Sequence, residues 1–435
     1  MIQPKVLGSF YFPMLVFHQR VGGIIPRLAL LAALVLTCSR SLAAPAASPA
    51  RHLADHSPPI SFYLVKGQPG ACGEGCDSWI AAEGRIDNIA VARFRKFLKQ
   101  VGDRRLPIYF ESPGGNLEQA LAIGNLLRER KAIARVGRTM VRDCGLEAQD
   151  SEVCVKLKQS GRELTGDVWT RGAMCASACP YLILGAPTRE IAPDTMLAVH
   201  SPRVILNFTT GVPPPELRTR ALQQASARAD RLVLDYLKKM GIDSGLLAAS
   251  RSVRFEGLHI LSREEIARFG LDRREVAETR WMFENASLGV AYKTVISRKP
   301  GDTSFRTTRF QLVCFDADRF ELDFQRPALA ATGTASVAIV NGAERLNFLY
   351  PPRRGSGQET WGARLNGGQL RALAASAATD LTEGELREGN WQFASSRLST
   401  DGLPAALQRL LSGCPQAKAT SAMSAGREQV AGAVR

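Results

Sequence analysis

Apolar positions change period several times along the chain, and each change marks an element. Pro59 to Val65 (PISFYLV) has the β-branched and aromatic content of a strand. Gly70, Gly73 and Gly75 interleave with Cys72 and Cys76 in a tight loop. Trp79 to Ile86 reads as a strand, and Asn88 to Val101 as an amphipathic helix. Leu106 to Glu111 (LPIYFE) is a short apolar run between turn signals, the pattern of a buried parallel strand. Asn116 is placed to cap the next helix, with Gln119 three residues on. Leu117, Ala120, Leu121, Gly124 and Leu127 share one face of it, and Glu118, Arg128 and Glu129 fall elsewhere. Ala132 to Val136 reads as the strand that completes a βαβ unit.

Beyond this unit, residues 140–170 are polar and carry Cys144 and Cys154, which suggests an inserted, disulfide-tied excursion. Ser177 to Leu184 reads as a short helix, Met196 to His200 as a strand, and Pro214 to Met240 as a long helical stretch. Ser262 and Glu265 make a capping box for a helix that Gly270 ends. After about residue 280 the pattern alternates. Phe310 to Phe324 and Val337 to Tyr350 predict hairpins turning near Asp316 and Gly342, and Pro404 to Leu411 predicts a helix. The expected organisation is an α/β domain over 59–279, a β-rich domain over 280–415, and a disordered tail over 416–435 with little to bury.

Composition adds a compartment. Apolar content of 45% and charge of 22% are ordinary for a globular chain of 435 residues, a length that holds two or three domains. Lys5, Arg20 and Arg27 precede the uncharged run Leu28 to Thr37, and small residues follow at 41–47. That order predicts a signal peptide over 1–43, cleaved after Ala43 or Ala46, then an Ala/Pro/Ser-rich linker over 44–58. The mature protein is expected to be soluble and periplasmic or secreted. Eight cysteines remain after Cys38: Cys72, Cys76, Cys144, Cys154, Cys175, Cys179, Cys314 and Cys414. An even number in an oxidising compartment predicts disulfides, with the pairing open beyond an isolated Cys314 and Cys414 that suit each other. Zinc on Cys72, Cys76, Cys175 and Cys179 is the rival reading; it lacks Cys-x-x-Cys spacing and histidine ligands, so no metal is expected. The net charge of +15 is spread along the chain without a basic run or interleaved aromatics. It predicts attraction to anionic envelope polymers or lipid, not nucleic-acid binding.

The chemistry sits in two stretches, Glu111-Ser-Pro-Gly-Gly-Asn-Leu-Glu-Gln-Ala120 and Cys175-Ala-Ser-Ala-Cys-Pro-Tyr-Leu-Ile-Leu-Gly-Ala186, with Ala198-Val-His-Ser-Pro202 following. A serine hydroxyl needs a base to become a nucleophile, and a tetrahedral intermediate needs preorganised N–H donors. Ser177 opening a helix places the Ala178 N–H beside it, Gly114-Gly115 lets backbone approach a ligand closely, and His200 ends a strand. Taken singly, each has an ordinary structural explanation: a turn, a cap or packing serine, and a structural histidine.

In this order the motifs resemble the ClpP class of serine peptidases, and more closely its exported, ATPase-independent relatives, whose serine lies in a Cys-x-Ser-Ala-Cys setting. The stretch Leu261-Ser-Arg-Glu-Glu-Ile-Ala-Arg-Phe-Gly-Leu271 resembles a later segment of the same family, and the likeness spans 79–275. The resemblance implies a ClpP/crotonase-like α/β fold, with Ser177 as nucleophile and His200, 23 residues on, as base. It assigns the N–H groups of Gly115 and Ala178 to an oxyanion hole. It implies no cofactor, a peptide or protein substrate, self-association and, in the envelope, no ATPase partner. Two departures stand out. Residues 140–170 lengthen the gap between Gly115 and Ser177, and Leu258 stands where the family has an aspartate. Glu256 is the nearest substitute for that third member, and Asp272 is more distant. A catalytically inactive binding or structural envelope protein on the same fold is the alternative, and crotonase-type thioester chemistry a third, from which export separates coenzyme A.

Overall fold

The structure, a computed structural model, describes residues 57–206, 213–284, 289–299, 301–316, 318–328 and 335–414. The expected signal peptide, most of the linker and the tail lie outside the described residues. The first part of the chain runs β1 (Ser61–Lys66), β2 (Ser78–Glu83), α1 (Ala90–Val101), β3 (Ile108–Glu111), α2 (Leu117–Glu129), β4 (Ile133–Val136), β5 (Arg138–Val141), α3 (Glu152–Lys158), β6 (Leu164–Trp169), β7 (Met174–Ala176), α4 (Cys179–Ile183), β8 (Thr188–Glu190), β9 (Met196–Val199), α5 (Pro215–Met240), α6 (Gly245–Arg251), β10 (His259–Ile260) and α7 (Arg263–Arg268). Seven strands form one sheet in the order β5-β6-β1-β2-β3-β4-β8, and three form a second in the order β10-β9-β7.

β2, β3 and β4 are parallel neighbours joined through α1 and α2, as the alternation of strand and helix periods predicts. α1 buries Ala90, Val91, Phe94, Phe97 and Val101 against this sheet. α2 buries Ala120, Ile123, Gly124 and Leu127, while Leu117 and Leu121 of the expected face are only partly covered. Each large apolar side chain so buried contributes roughly 1.5–3 kcal/mol over exposure. Asn116 caps α2 by accepting the Gln119 N–H, and the Gln119 side chain turns away to accept the Val91 N–H of α1 at 3.0 Å, tying the two helices together. The capping box of Ser262 and Glu265 is present, and Gly270 follows α7 with φ +77°.

The segment read as a polar excursion adds two strands to the main sheet. β6 runs parallel to β1 and pairs antiparallel with β5. Its buried Leu164 and Gly166 alternate with exposed Thr165, a period of two within a largely polar sequence. Cys144 and Cys154 are joined across it, with 5.3 Å between Cα atoms.

The remainder is β-rich: β11 (Val276–Glu278), β12 (Met282–Glu284), β13 (Val290–Arg298), β14 (Phe305–Asp316), β15 (Arg319–Pro327), β16 (Ala335–Asn341), β17 (Glu344–Asn347), β18 (Arg353–Gly355), β19 (Gln358–Leu365), α8 (Gly367–Ala375), β20 (Ala378–Arg387), β21 (Asn390–Ser399) and α9 (Leu403–Ser412). The two expected hairpins close between Asp316 and Arg319 and between Asn341 and Glu344. Phe310, Phe320, Phe324, Trp361, Ile339, Leu381 and the apolar sides of α8 and α9 form one core. Inside it Arg326 is paired with Glu359 and Glu383, a buried charge with both neighbours supplied. Cys314 and Cys414 are joined, with Cα atoms 5.7 Å apart, and this ties the end of α9 to β14. Arg280 bridges the two parts of the chain: Nε donates to Asp401 at 2.9 Å and Nη1 to the Ala71 carbonyl at 2.7 Å. Among the described residues no helix is long and apolar enough to cross a membrane.

Candidate functional site

The tip of β3 abuts β7. Ser112 donates its N–H to the Met174 carbonyl at 2.8 Å and accepts the Ala176 N–H at 3.0 Å. Its hydroxyl donates to the Gly84 carbonyl at 2.7 Å and accepts the Gly114 N–H at 3.1 Å. Glu111, just before it, accepts the Met174 N–H at 2.6 Å and pairs with Arg138 at 2.8 Å; burial raises its pKa. The motif Glu111-Ser-Pro-Gly-Gly therefore holds two elements together before it does anything else.

Gly114 and Gly115 have φ of +96° and +136°, in the region that favours glycine. The Ile86 N–H donates to Gly114 and the Asn116 N–H to Ile86, at 2.8 and 2.7 Å. A parallel bridge of this kind uses the residues flanking Gly115, so the N–H of Gly115 itself faces the opposite side. It donates to no acceptor among the described residues. A Cβ on Gly115 would lie 2.2 Å from the Ile86 carbonyl oxygen, and one on Gly114 would lie 2.5 Å from Ser177 Cβ and 2.8 Å from Ala178 N. The Gly-Gly turn is thus pressed against the Ser177–Ala178 corner. Gly115→Ala is expected to cost about 3 kcal/mol through overpacking and backbone strain, read as a lowered denaturant midpoint. An unchanged midpoint would remove this account of the turn.

Ser177 is one of the few non-glycine residues with positive φ, at +60°. Its N–H donates to the Ala198 carbonyl of β9 at 2.9 Å, its side chain is half-buried, and its hydroxyl has no partner among the described residues. The left-handed residue stops the strand and delays the helix. α4 consequently begins at Cys179, two residues later than the apolar pattern suggests, with Ala178 as its cap. The Ala178 N–H has no acceptor among the described residues. Cys175 and Cys179 are joined across this corner, with Cα atoms 5.2 Å apart, and Cys72 and Cys76 are joined in their own loop at 5.0 Å. The four cysteines of the zinc alternative are therefore engaged in two separate disulfides.

β7 and β9 are parallel, with Ala176 opposite Ala198. Ser177 and His200 each stand one residue beyond the carboxyl end of these neighbouring strands. Sites in open α/β sheets form at such ends. His200 is buried, and the Phe255 ring meets it edge-on at 5.0 Å. Nδ1 lies 2.9 Å from the Ser201 carbonyl. A carbonyl only accepts, so Nδ1 carries the proton, and Nε2 of the neutral ring keeps its lone pair. Nε2 has no hydrogen-bond partner among the described residues. The buried Ser250 hydroxyl donates to the His200 carbonyl at 2.7 Å and fixes this residue from α6. Burial lowers the His200 pKa, against smaller opposing effects from Ser201 and the charge of Glu256.

The carboxylates suggested for the third member stand apart from the ring. Glu256 is exposed and has no hydrogen bond to His200; it acts on the imidazole as a charge through space. Asp272 is held by Arg263 at 3.0 Å, Arg274 at 2.6 Å and the Ile191 N–H at 2.9 Å, and these hold its pKa at about 2 despite burial. The Ser201 carbonyl occupies the position beside Nδ1, and sequence carries no signal for it because every residue has a carbonyl. A histidine paired with a carboxylate does exist nearby: His259 Nε2 lies 2.9 Å from Glu265, on the strand beside β9. Glu265 is legible from sequence only as a helix cap.

No family model and no curated protein matches this chain. Solved structures do. Invasion associated protein B from Bartonella henselae is 12% identical, covers 30% of this chain and 95% of its own, and has a TM-score of 0.23. A ClpP1 mutant from Listeria monocytogenes is 16% identical, covering 43% of this chain and 85% of its own, with a TM-score of 0.26. A mutant of a membrane-bound stomatin-specific protease is also 16% identical, covering 44% and 75%, with a TM-score of 0.25. The chain is a mixed α/β protein with a β-rich carboxyl-terminal region, and its structural neighbours include a ClpP1 and a stomatin-specific protease, each at low identity and over part of its length.

Proposed function

We propose that this protein is an exported serine hydrolase, a peptidase that works without an ATPase. The observation that carries the reading is the Ser177 corner: a left-handed serine pressed against Gly114, whose hydroxyl, like the N–H groups of Ala178 and Gly115, has no partner among the described residues. In this mechanism Ser177 Oγ attacks the peptide carbonyl while His200 Nε2 takes its proton. The carbonyl electrons move onto oxygen, which the Gly115 and Ala178 N–H groups receive. Collapse of the intermediate expels the amine, protonated by His200, and leaves an acyl ester on Ser177. Water, activated by the same imidazole, releases the acid. The Ser177–His200 hydrogen bond forms when substrate closes the site, since catalytic hydrogen bonds are often long in unliganded enzymes. Four disulfides support the oxidising compartment, where flexible peptides are substrates that need no unfolding partner. Self-association and peripheral attachment to the envelope belong to the same reading.

The deciding experiment is labelling of the mature protein with a fluorophosphonate, followed by peptide mapping to Ser177. Because burial favours neutral His200, the labelling rate is expected to be half-maximal below the ordinary imidazole value of about 6.5, then flat through neutral pH. A midpoint above that value would contradict the assignment of His200 as base.

One observation favours a second reading. The His200 Nδ1 partner is a neutral carbonyl, which orients the ring but stabilises an imidazolium less than a carboxylate does. In that reading the protein is an inactive binding or structural component of the envelope, and its β-rich part does the work. It predicts no labelling of folded, disulfide-intact protein.

A further inference from the structure

Many arginines of this protein are matched to carboxylates, and one region breaks the pattern. An open cleft of about 560 Å³ lies where the chain leaves α5, ends α7 and finishes β13. Arg268, Arg273 and Arg298 line it. Arg273 and Arg298 have no carboxylate partner among the described residues. Arg273 reaches only the Gly241 carbonyl, at 3.3 Å; the Arg298 guanidinium lies over the Phe305 ring at 5.3 Å, and its buried Nε has no acceptor among the described residues. Arg268 has a long ion pair with Glu265, at 3.7 Å. Arg189 adds to the same positive field. Its donors all end on carbonyls, those of Leu184, Ala186, Gly270 and Leu271. Burial first, and then the like charges of Arg273 and Arg128, lower its pKa.

The nearby acids leave Arg273 and Arg298 without an ion pair among the described residues. Asp243 is the one carboxylate lining the cleft; its Oδ1 accepts the Gly245 N–H at 2.6 Å, so it offsets one of the three arginine charges there without pairing with any of them. Asp272 is taken by Arg263 and Arg274. Converging guanidinium groups with an unpaired buried donor are costly unless a counter-charge completes them. The planar forks of arginine suit an oxyanion held by paired hydrogen bonds.

We infer that this cleft is a binding site for a phosphate-class oxyanion, either a soluble phosphate or the headgroup of an anionic lipid. The anion takes the free donor of Arg298 and the guanidinium of Arg273, and relieves the repulsion between Arg273 and Arg189. The site is independent of Ser177 and of any hydrolysis there.

Thermal unfolding of the full mature chain against inorganic phosphate tests it, with sodium chloride matched in ionic strength. A saturable rise in Tm with phosphate, absent in chloride, is expected. In R273Q/R298Q the half-saturating concentration should increase about tenfold or more. Should that variant not fold, Arg273→Gln alone gives the same reading, because Arg273 is exposed. No response beyond chloride, or an equal response in wild type and variant, overturns the proposal. Co-sedimentation with phosphatidylglycerol vesicles then separates the sources. Retention that Arg273→Gln abolishes assigns a lipid headgroup, whereas a phosphate response without retention assigns a soluble phosphate. Neither readout depends on fluorophosphonate labelling, so failure here leaves the hydrolase reading untouched.

Discussion

Ser177→Ala is expected to abolish fluorophosphonate labelling and to lower peptide or ester hydrolysis by about 10³-fold or more, with the fold intact. His200→Ala should do nearly the same, because in the proposed mechanism Ser177 and His200 act as one unit, and losses of that kind do not add. The reasoning is geometric. Both residues stand just past the ends of adjacent parallel strands, Gly114 is pressed against Ser177 and Ala178, and the N–H groups of Ala178 and Gly115 have no acceptor among the described residues. Stability offers a second view of the same corner. A non-glycine residue at φ +60° carries strain, so Ser177→Gly should be more stable than Ser177→Ala by about 1 kcal/mol. Equal stability of the two would show that the corner holds no strain. Hydrolysis unchanged in pure Ser177→Ala protein would end the hydrolase reading.

The Cys175–Cys179 disulfide yields the other large effect, and the chain contains its own control. Cys72–Cys76 has the same sequence separation of 4 and is likewise in the first part of the protein. Loop-closure entropy assigns each bridge about 2 kcal/mol. Replacing either pair by alanine should therefore lower stability to a similar extent. Labelling should not respond equally. Cys175 and Cys179 bracket Ser177 and pin the strand end to the helix start, so their loss frees Ser177 to relax to negative φ and carries the Ala178 N–H away. A fall in labelling rate of about 10²-fold is expected for C175A/C179A, the scale of losing one oxyanion donor. C72A/C76A should label at the wild-type rate. Equal rates in the two variants would mean that the bridge beside the serine only stabilises.

Local structure was largely legible. The cap at Asn116, the box of Ser262 and Glu265, the stop at Gly270 and the turns near Asp316 and Gly342 all formed where their residues predict. Each depends on atoms within about four residues of one another. The apolar pattern from Ser177 to Leu184 starts α4 two residues early because it runs through a residue whose backbone is left-handed, and φ at a serine has no signature in composition. Residues 140–170 read as an excursion because their strand positions alternate within a polar stretch, where only a pairing partner reveals the period.

Sequence by itself determined which chemical groups are present, the elements that carry them and the order Gly115, Ser177, His200. Tertiary structure decided their meeting. Gly114-Gly115 presses on Ser177 across more than 60 residues of chain. The Nδ1 proton of His200 goes to the Ser201 carbonyl, while Glu256 stays in solvent and Asp272 is held by two arginines. The eight cysteines chose partners, and Arg273 and Arg298 came to line one cleft with no ion pair among the described residues. Helix caps and turns are settled by neighbours in the chain. Hydrogen-bond partners, ion pairs and the direction of a free N–H are settled by distance in space, which periodicity and composition do not encode.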